Sequence, residues 1–364
     1  MTASPGPDLY STFGHSAIRV KDSLQKIDII FNYGTFDFDT RNFYVKFTRG
    51  QLDYMLSVET FENFSYYRKS ENRSIIEQEL NLTTEQKRKL YYLLQENYKP
   101  ENRYYRYDFF FDNCSSRIRD IMKTAFADDF RYVYPDEWKN GELTFRNLID
   151  LYLTHHHWSD YGIDIALGLP TDDVASPADY MFLPDYLSDA FDLASIIQDG
   201  EPVPLVKTKR LILGRMDVEP DTYFVTPSRL MWALFIFSIA MTYLSVKKEF
   251  SIGWFDVLYF SAIGIVGWVV FFLWFFTDHI ATKDNLNLLW AIPFHFPLFI
   301  FWSRISVNWR KWYVFVTGSI DLLILVFWVI LPQNYHNAFI PMILIILLRY
   351  WFMLKSKKLK PIVG

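Results

Sequence analysis

Cysteine is nearly missing from this chain: Cys114 is the only one in 364 residues. That excludes an intramolecular disulfide framework and any Cys-rich zinc site. It also leaves a thiol that no partner in the chain can lock away, which suits an oxidising compartment. The front of the chain lacks a basic excess. Residues 1–228 hold 25 Lys+Arg against 36 Asp+Glu, a net −11, whereas binding a nucleic acid's phosphates needs the opposite sign. Nucleic acid is therefore excluded as a partner. Past Ser228 the balance reverses to 12 basic against 5 acidic residues, so the overall −4 conceals two regions in different surroundings. The opening Met1-Thr2-Ala3-Ser4-Pro5-Gly6 has neither the basic start nor the apolar centre of a signal peptide. No internal repeat is evident.

What the second region has in plenty is apolar length. Leu230–Val246, Ile252–Phe276, Leu286–Trp302, Trp312–Leu331 and Ala338–Leu354 are each close to the ~20 residues that cross a hydrocarbon layer as a helix. Trp and Tyr gather at several of their ends, as interfacial belts do. The short connections alternate in charge. Lys247 and Lys248 fill the first, Arg304, Arg310 and Lys311 the third, and Lys355, Lys357, Lys358 and Lys360 the tail. Thr277–Asn285 has one Lys and two Asp, and Pro332–Asn337 has no charge. Basic loops stay in the cytoplasm, so the N-terminal domain is expected outside and the C-terminus inside. An exported domain needs a signal, so a leader upstream of Met1 is expected. The predicted division is a soluble domain over 1–228 and a five-span membrane domain over 229–364.

Within 1–228 the pattern predicts an α+β domain. Ser16–Val20, Lys26–Tyr33, Asn42–Phe47 and Tyr54–Val58 are short apolar runs punctuated by Gly14, Gly34 and Gly50, a strand meander. Thr60–Lys69 and Thr83–Tyr98 read as helices with a strand at Ile75–Leu82 between them, Thr83 being an N-cap. Arg103–Phe111 is aromatic and expected to be extended. Ile118, Ile121, Met122, Ala125 and Phe126 then form an apolar helical stripe. Asn113 is a good N-cap, which places Cys114 in the first turn. There the helix dipole and free N–H groups favour thiolate over thiol and can hold an oxyanion. His15, on a strand far upstream, is the candidate base. The alternative readings are a buried structural thiol and a satisfied strand histidine. Residues 127–228 are proline-rich, with short helices expected around Leu143–Leu153 and Tyr180–Leu193 and a hairpin or linker before the first span.

Other polar groups are weighed against simpler roles. His155-His156-His157 does not share one helical face, and no Cys or Glu spacing completes a zinc set, so no metal is expected. His279, Asn285 and Asn287 lie in an external loop rich in hydrogen-bonding groups; it is either a solvated turn or a headgroup or substrate contact. Asp321 and His295 fall inside apolar stretches, where ionisable groups are costly unless paired. Arg349 is the expected partner of Asp321.

Gly14-His15-Ser16-Ala17-Ile18-Arg19, Asn32-Tyr33-Gly34-Thr35-Phe36 and Asp112-Asn113-Cys114-Ser115 together resemble the bacterial Lnb family. The resemblance runs from about Ser4 to the last span. It takes in Gly162-Ile163-Asp164 with Leu167-Gly168, Phe182-Leu183-Pro184, and the loop from His279 to Trp290. The chain departs from the family in lacking a visible signal peptide. The resemblance implies a periplasmic domain followed by a membrane bundle. It also implies a papain-like fold in the permuted order of NlpC-type hydrolases and lecithin:retinol acyltransferase, histidine strand before cysteine helix. The implied activity is lipoprotein N-acylation at the inner membrane, from a phospholipid donor to the N-terminal amine of a diacylglyceryl-cysteine lipoprotein.

The expected chemistry is acyl transfer through a Cys114 thioester with His15 as base and no cofactor. Thioester to amide is downhill, so no nucleotide is required. A third polar group should orient His15; Asn32 on the next predicted strand is the first choice and Asp28 the second. The rival is a membrane-anchored cysteine peptidase or amidase acting on cell-wall peptides, since the same fold cleaves peptides with the same pair. Several spans favour a lipid donor, because one anchor serves a soluble substrate. A membrane receptor or transporter with a degenerate catalytic-like domain is the reading from a different class, disfavoured by the intact Cys and His.

Overall fold

The computed structural model of the chain describes residues 1–216, 224–248 and 253–355. The chain divides into two compact units, Met1–Leu153 with Asp173–Pro220, and Thr154–Asp172 with Asp221–Gly364. The segment 154–172, expected in the front domain, thus groups with the second unit.

The first unit opens with β1 (Thr2–Ala3), β2 (His15–Ser16), β3 (Ile18–Asp22) and β4 (Ile27–Thr35). It continues through α1 (Phe43–Thr48), β5 (Asp53–Thr60), α2 (Phe61–Ser70), β6 (Ile75–Leu80), α3 (Thr84–Tyr98), β7 (Tyr104–Arg106) and α4 (Cys114–Phe126). Two four-stranded antiparallel sheets result, in the orders β3-β4-β5-β7 and, with a later strand β11 (Val206–Leu213), β11-β6-β1-β2. The meander forms with one exception. The run Asn42–Phe47 is the helix α1, entered through Asn42 in the left-handed region at φ 58°. Six residues are too few for apolar spacing to separate the two periods. Only Tyr104–Arg106 of the expected extended stretch is a strand.

Helix α3 starts on the expected cap, Thr83 Oγ1 accepting from the Gln86 N–H and Gln86 Oε1 from the Thr83 N–H. The predicted stripe of α4 is buried, from Ile118 through Phe126, and α4 packs on β4 and α3. Ala3, Ala17, Ile30, Phe64 and Ile75 form a small core beside β1 and β2. Further along, β8 (Phe130–Arg131), α5 (Asp136–Asn140) and α6 (Phe145–Leu153) precede the departure of the chain into the second unit. After α7 (His157–Ala166) there, it returns as α8 (Pro184–Leu193) and a hairpin, β9 (Ser195–Gln198) and β10 (Glu201–Pro204). Asp199 and Gly200, both at positive φ, make its two-residue turn.

In the second unit α9 (Pro227–Lys248) and α10 (Gly253–Phe276) are long and apolar enough to cross a membrane. The expected third span is not one helix. Residues 286–304 form a 3-10 turn at Leu286–Leu289, a six-residue helix α11 (His295–Ile300) and a second 3-10 turn at Trp302–Arg304. Pro293 and Pro297 withhold backbone donors from it. It presses on α10 where that helix has no side chains: a Cβ on Gly264 would sit 2.2 Å from the Phe296 nitrogen, and one on Gly267 2.0 Å from the Ala291 oxygen. The remaining helices are α12 (Val307–Val326) and α13 (Phe339–Lys355), and α12 carries Arg310, Lys311 and Asp321. Among the described residues, α9 and α10 are the two helices that are apolar spans by length and composition.

Arg349 is also not the partner of Asp321. Its guanidinium donates to both carboxylate oxygens of Asp256 (2.5 and 3.0 Å) and to Thr242 Oγ1 (2.6 Å). Asp256 lies at the start of α10, within reach of the last turns of α13, whereas Asp321 is buried on α12 with neither oxygen bonded among the described residues. The linker into α9, the start of the second span at Ile252 and the tail lysines Lys357, Lys358 and Lys360 lie outside the described residues.

Candidate active site

Cys114 is set from both sides of its helix start. Asp108 and Asp112 exchange backbone hydrogen bonds of 3.2 and 3.0 Å, closing the turn before α4. The Asp112 carboxylate then grips Arg117, one turn into the helix. Asn113 Oδ1 accepts from the N–H groups of Ser115 (2.8 Å) and Ser116 (2.9 Å), and Ser116 Oγ accepts from the Asn113 N–H (2.7 Å). This reciprocal cap satisfies amide groups that a helix start leaves unpaired. The Asn113 amide nitrogen donates to the carbonyls of Phe109 and Phe182 (2.7 and 2.8 Å), so the cap is itself anchored. Cys114 is the first helical residue and partly exposed.

Strand β2 meets it edge-on. Ala17 and Met1 exchange both backbone hydrogen bonds, each 3.0 Å. In an antiparallel pair the next residue, Ser16, then turns its N–H away from β1. That N–H is among the donors that favour the Cys114 thiolate. The two elements are also tied by Ser16 Oγ and Ser115 Oγ, 2.9 Å apart and buried. Gly14 sits at φ 82° before this strand, where a Cβ would be 2.9 Å from the Ala3 carbonyl oxygen. Gly34 sits at φ 87°, and its position is 3.6 Å from both the Cys114 Cβ and the Tyr107 ring, measured from a Cβ built there.

His15, the residue beside Ser16, bonds through Nε2 to Asn32 Oδ1 at 3.1 Å. Asn32 lies on β4, buried, and its amide nitrogen donates to Glu59 Oε1 at 2.5 Å. With the amide nitrogen committed to a carboxylate, only the amide oxygen faces the imidazole. Nε2 must therefore be the protonated nitrogen, and Nδ1 carries the lone pair. Glu59 was not singled out from the sequence. The signal was there, a carboxylate ending the apolar run Met55–Val58, but linking it to Asn32 needed the register of β5 on β4, where Asn32 pairs Ser57 and Ile30 pairs Glu59. Asp28 is occupied elsewhere: Arg19 binds both its oxygens (2.7 and 2.6 Å) and reaches Glu77 as well (2.6 Å).

Both groups are neutral at rest. Burial holds the His15 imidazole down to about 3, Arg68 and Arg73 adding to it against the hydrogen bond to Asn32. Burial likewise pushes the Cys114 thiol up, although the Ser16 N–H and the Ser115 hydroxyl and N–H favour its thiolate. Burial thus opposes the pull toward thiolate that the helix start exerts. The phenols of Tyr105 and Tyr107 beside the sulfur are also raised by burial and stay protonated.

In the second unit Asn285 and Asn287 are fully buried and their amides are engaged. Asn285 donates to the carbonyls of Ile165 and Ala166 (2.9 and 3.0 Å), Asn287 to those of Asp164 and Ile165 (2.9 and 3.1 Å). Those carbonyls lie in the last turn of α7, where no following turn of helix supplies donors. Asn287 Oδ1 accepts from Trp290 Nε1 and Asn285 Oδ1 from the Asn287 N–H, both at 2.9 Å. The two asparagines thus brace a helix end, not a solvent-facing contact. His279 is half-buried at the start of a 3-10 turn. Among the described residues no three His, Cys, Asp or Glu side chains group as a metal set.

Residues 1–148 match the family model described as the Lnb N-terminal periplasmic domain, and residues 219–360 match the Lnb transmembrane domain. No curated protein and no solved structure matches the chain.

Proposed function

Since the chain belongs to the Lnb family, with a periplasmic N-terminal domain and a transmembrane domain, we propose that it transfers an acyl chain from a phospholipid to the N-terminal amine of a lipidated lipoprotein. In this reading it is a multi-pass protein of the bacterial inner membrane, its first unit periplasmic and its C-terminus cytoplasmic. What carries the chemistry is the relay Glu59–Asn32–His15, next to Ser16, whose hydroxyl meets that of Ser115 beside Cys114.

His15 Nδ1 takes the proton of Cys114 as the sulfur attacks the ester carbonyl. Proton and sulfur move together because neither group is charged beforehand. The backbone N–H groups of Ser16 and Cys114 steady the oxyanion. The C–O bond breaks, His15 returns the proton to the departing lysophospholipid hydroxyl, and the acyl group remains on sulfur. The lipoprotein amine then attacks the thioester, an amide forms, and the thiol is restored. No cofactor enters.

The test is intact-protein mass spectrometry of the full chain incubated with phospholipid. An added acyl mass on Cys114, absent from Cys114→Ala and discharged by a diacylglyceryl-cysteine peptide with gain of an N-acyl group, is the expected result. Release of cell-wall peptide fragments without acylation of Cys114 would replace this reading with the peptidase.

A further inference from the structure

The first unit exposes a run of large apolar side chains that the relay does not use. Between β4 and β5, Phe38, Tyr44, Val45 and Phe47 are 70, 78, 59 and 49% exposed. Single exposed apolar residues are ordinary, but four within ten positions are not. They lie on or just before α1, a six-residue helix whose one buried residue is Phe43. A helix this short gains little from its own hydrogen bonds in water, so an apolar face without a cover calls for one. Arg41, Lys46 and Arg49 stand on the same segment against Asp37 and Asp39. It is a basic island in a strongly acidic domain, and aromatic and basic residues together suit a lipid interface.

The patch is continuous with the thiol. Phe38 meets Phe43 at 5.0 Å between ring centroids, Phe43 meets Phe36 at 5.7 Å, and Phe36 meets Tyr54 at 5.3 Å. Tyr54 stacks on Tyr107 at 4.3 Å. Tyr107 and Cys114 then flank Gly34, which has no side chain to close the gap between them.

We propose that the segment 36–49 inserts its exposed aromatic face into the bilayer surface. The ring series from Phe43 to Tyr107 then guides a lipid acyl chain from that surface to Cys114. The guiding rests on Cys114 being the acyl carrier; the insertion does not.

The experiment uses the full chain in vesicles of phosphatidylethanolamine and phosphatidylglycerol. With Cys114→Ala, a single cysteine is placed by Phe38→Cys or Phe47→Cys and labelled with an environment-sensitive fluorophore. Leu24→Cys, at a 97% exposed turn residue between β3 and β4, is the reference. Bromine-labelled lipids should quench the labels at 38 and 47 at least several-fold more than the label at 24. Equal quenching at all three overturns insertion, and so does a change at 38 and 47 seen only on adding lipoprotein, which would make the patch a protein-docking face. The guiding is tested in Phe38→Ser/Tyr44→Ser/Phe47→Ser with Cys114 intact. Half-saturation for phospholipid in Cys114 acylation should rise about tenfold, with acylation by a short water-soluble thioester unchanged. Equal loss with both donors overturns the guiding. Quenching at 38 and 47 with no acylation of Cys114 under any condition would leave insertion standing and remove the acyltransferase reading alone.

Discussion

Asn32 is held by Glu59 through a 2.5 Å hydrogen bond, and that bond decides which nitrogen of His15 carries a proton. A carboxylate accepts only, so it pins the orientation of the amide that His15 meets. Asn32→Ala should therefore slow acylation of Cys114, yet fall roughly a hundredfold short of the loss in Cys114→Ala, as the third member of such a group does. Glu59→Gln keeps an acceptor oxygen and should be milder than Glu59→Leu. Single-turnover acylation followed by mass spectrometry ranks the four; equal rates for Asn32→Ala and the parent would move the orienting role elsewhere.

Cys114→Ser should abolish transfer with the fold intact, since a serine hydroxyl is far harder to ionise than a thiol. His15→Ala should be as severe, and the double variant no worse than either, because the two act as a unit. Losses that multiply would separate them.

Acid should loosen the first unit. The folded pKa of His15, about 3, lies below the ~6.5 of an unfolded histidine, so between these values the unfolded chain binds more protons. The stabilisation is complete above pH 6.5 and is lost as pH falls toward 3. Hydrogen-exchange protection of β2 and β4 amides, corrected for the intrinsic slowing of exchange in acid, should fall on acidification, and less so in His15→Gln. At the other end, alkylation of Cys114 by iodoacetamide should keep climbing above the ordinary thiol range of about 8.5, because burial raises its pKa. A plateau at neutral pH would mean a resting thiolate.

Asn287→Ala should destabilise the second unit, since it strips partners from the buried Trp290 indole and from the end of α7. Each buried group left unpaired costs about 1–3 kcal/mol, which a melting curve in detergent resolves. Activity lost at unchanged melting temperature would return this loop to substrate binding.

Arg349→Met should cost roughly 3–5 kcal/mol by leaving the Asp256 carboxylate buried and unpaired. Asp321→Asn should cost nothing or raise the melting temperature, as among the described residues no side chain bonds its carboxyl oxygens. A strongly destabilised Asp321→Asn would require a partner for that group.

The local elements were legible where one residue announces them. Asn113 and Thr83 mark helix starts by their own side chains, and the stripe from Ile118 to Phe126 marks a buried face. Asn32 lies on the next strand that the sequence predicts after His15, which is enough to propose it, although β3 intervenes in the fold. Glu59 and Ser16 needed strand register and the direction of an N–H, which no residue type encodes. The same holds for Arg349: apolar runs locate helices but not which two polar residues meet between them. Segment 286–302 passed as a span because hydropathy counts side chains, whereas Pro293, Pro297 and the two glycines of α10 act on the backbone. The thiol's charge state turned on burial, which a sequence does not carry.

Those glycines bear on how the transmembrane domain is made. A stretch whose backbone is broken between 286 and 302 leaves N–H and C=O groups outside any long helix, and hydrocarbon does not tolerate such groups uncovered. Gly264 and Gly267 let it lie flush on α10, which covers it. We therefore expect the two to insert as one unit. A nascent chain cut between them would expose a segment unable to settle in lipid alone, and a bulky residue at either glycine would fail at biogenesis before it failed at chemistry.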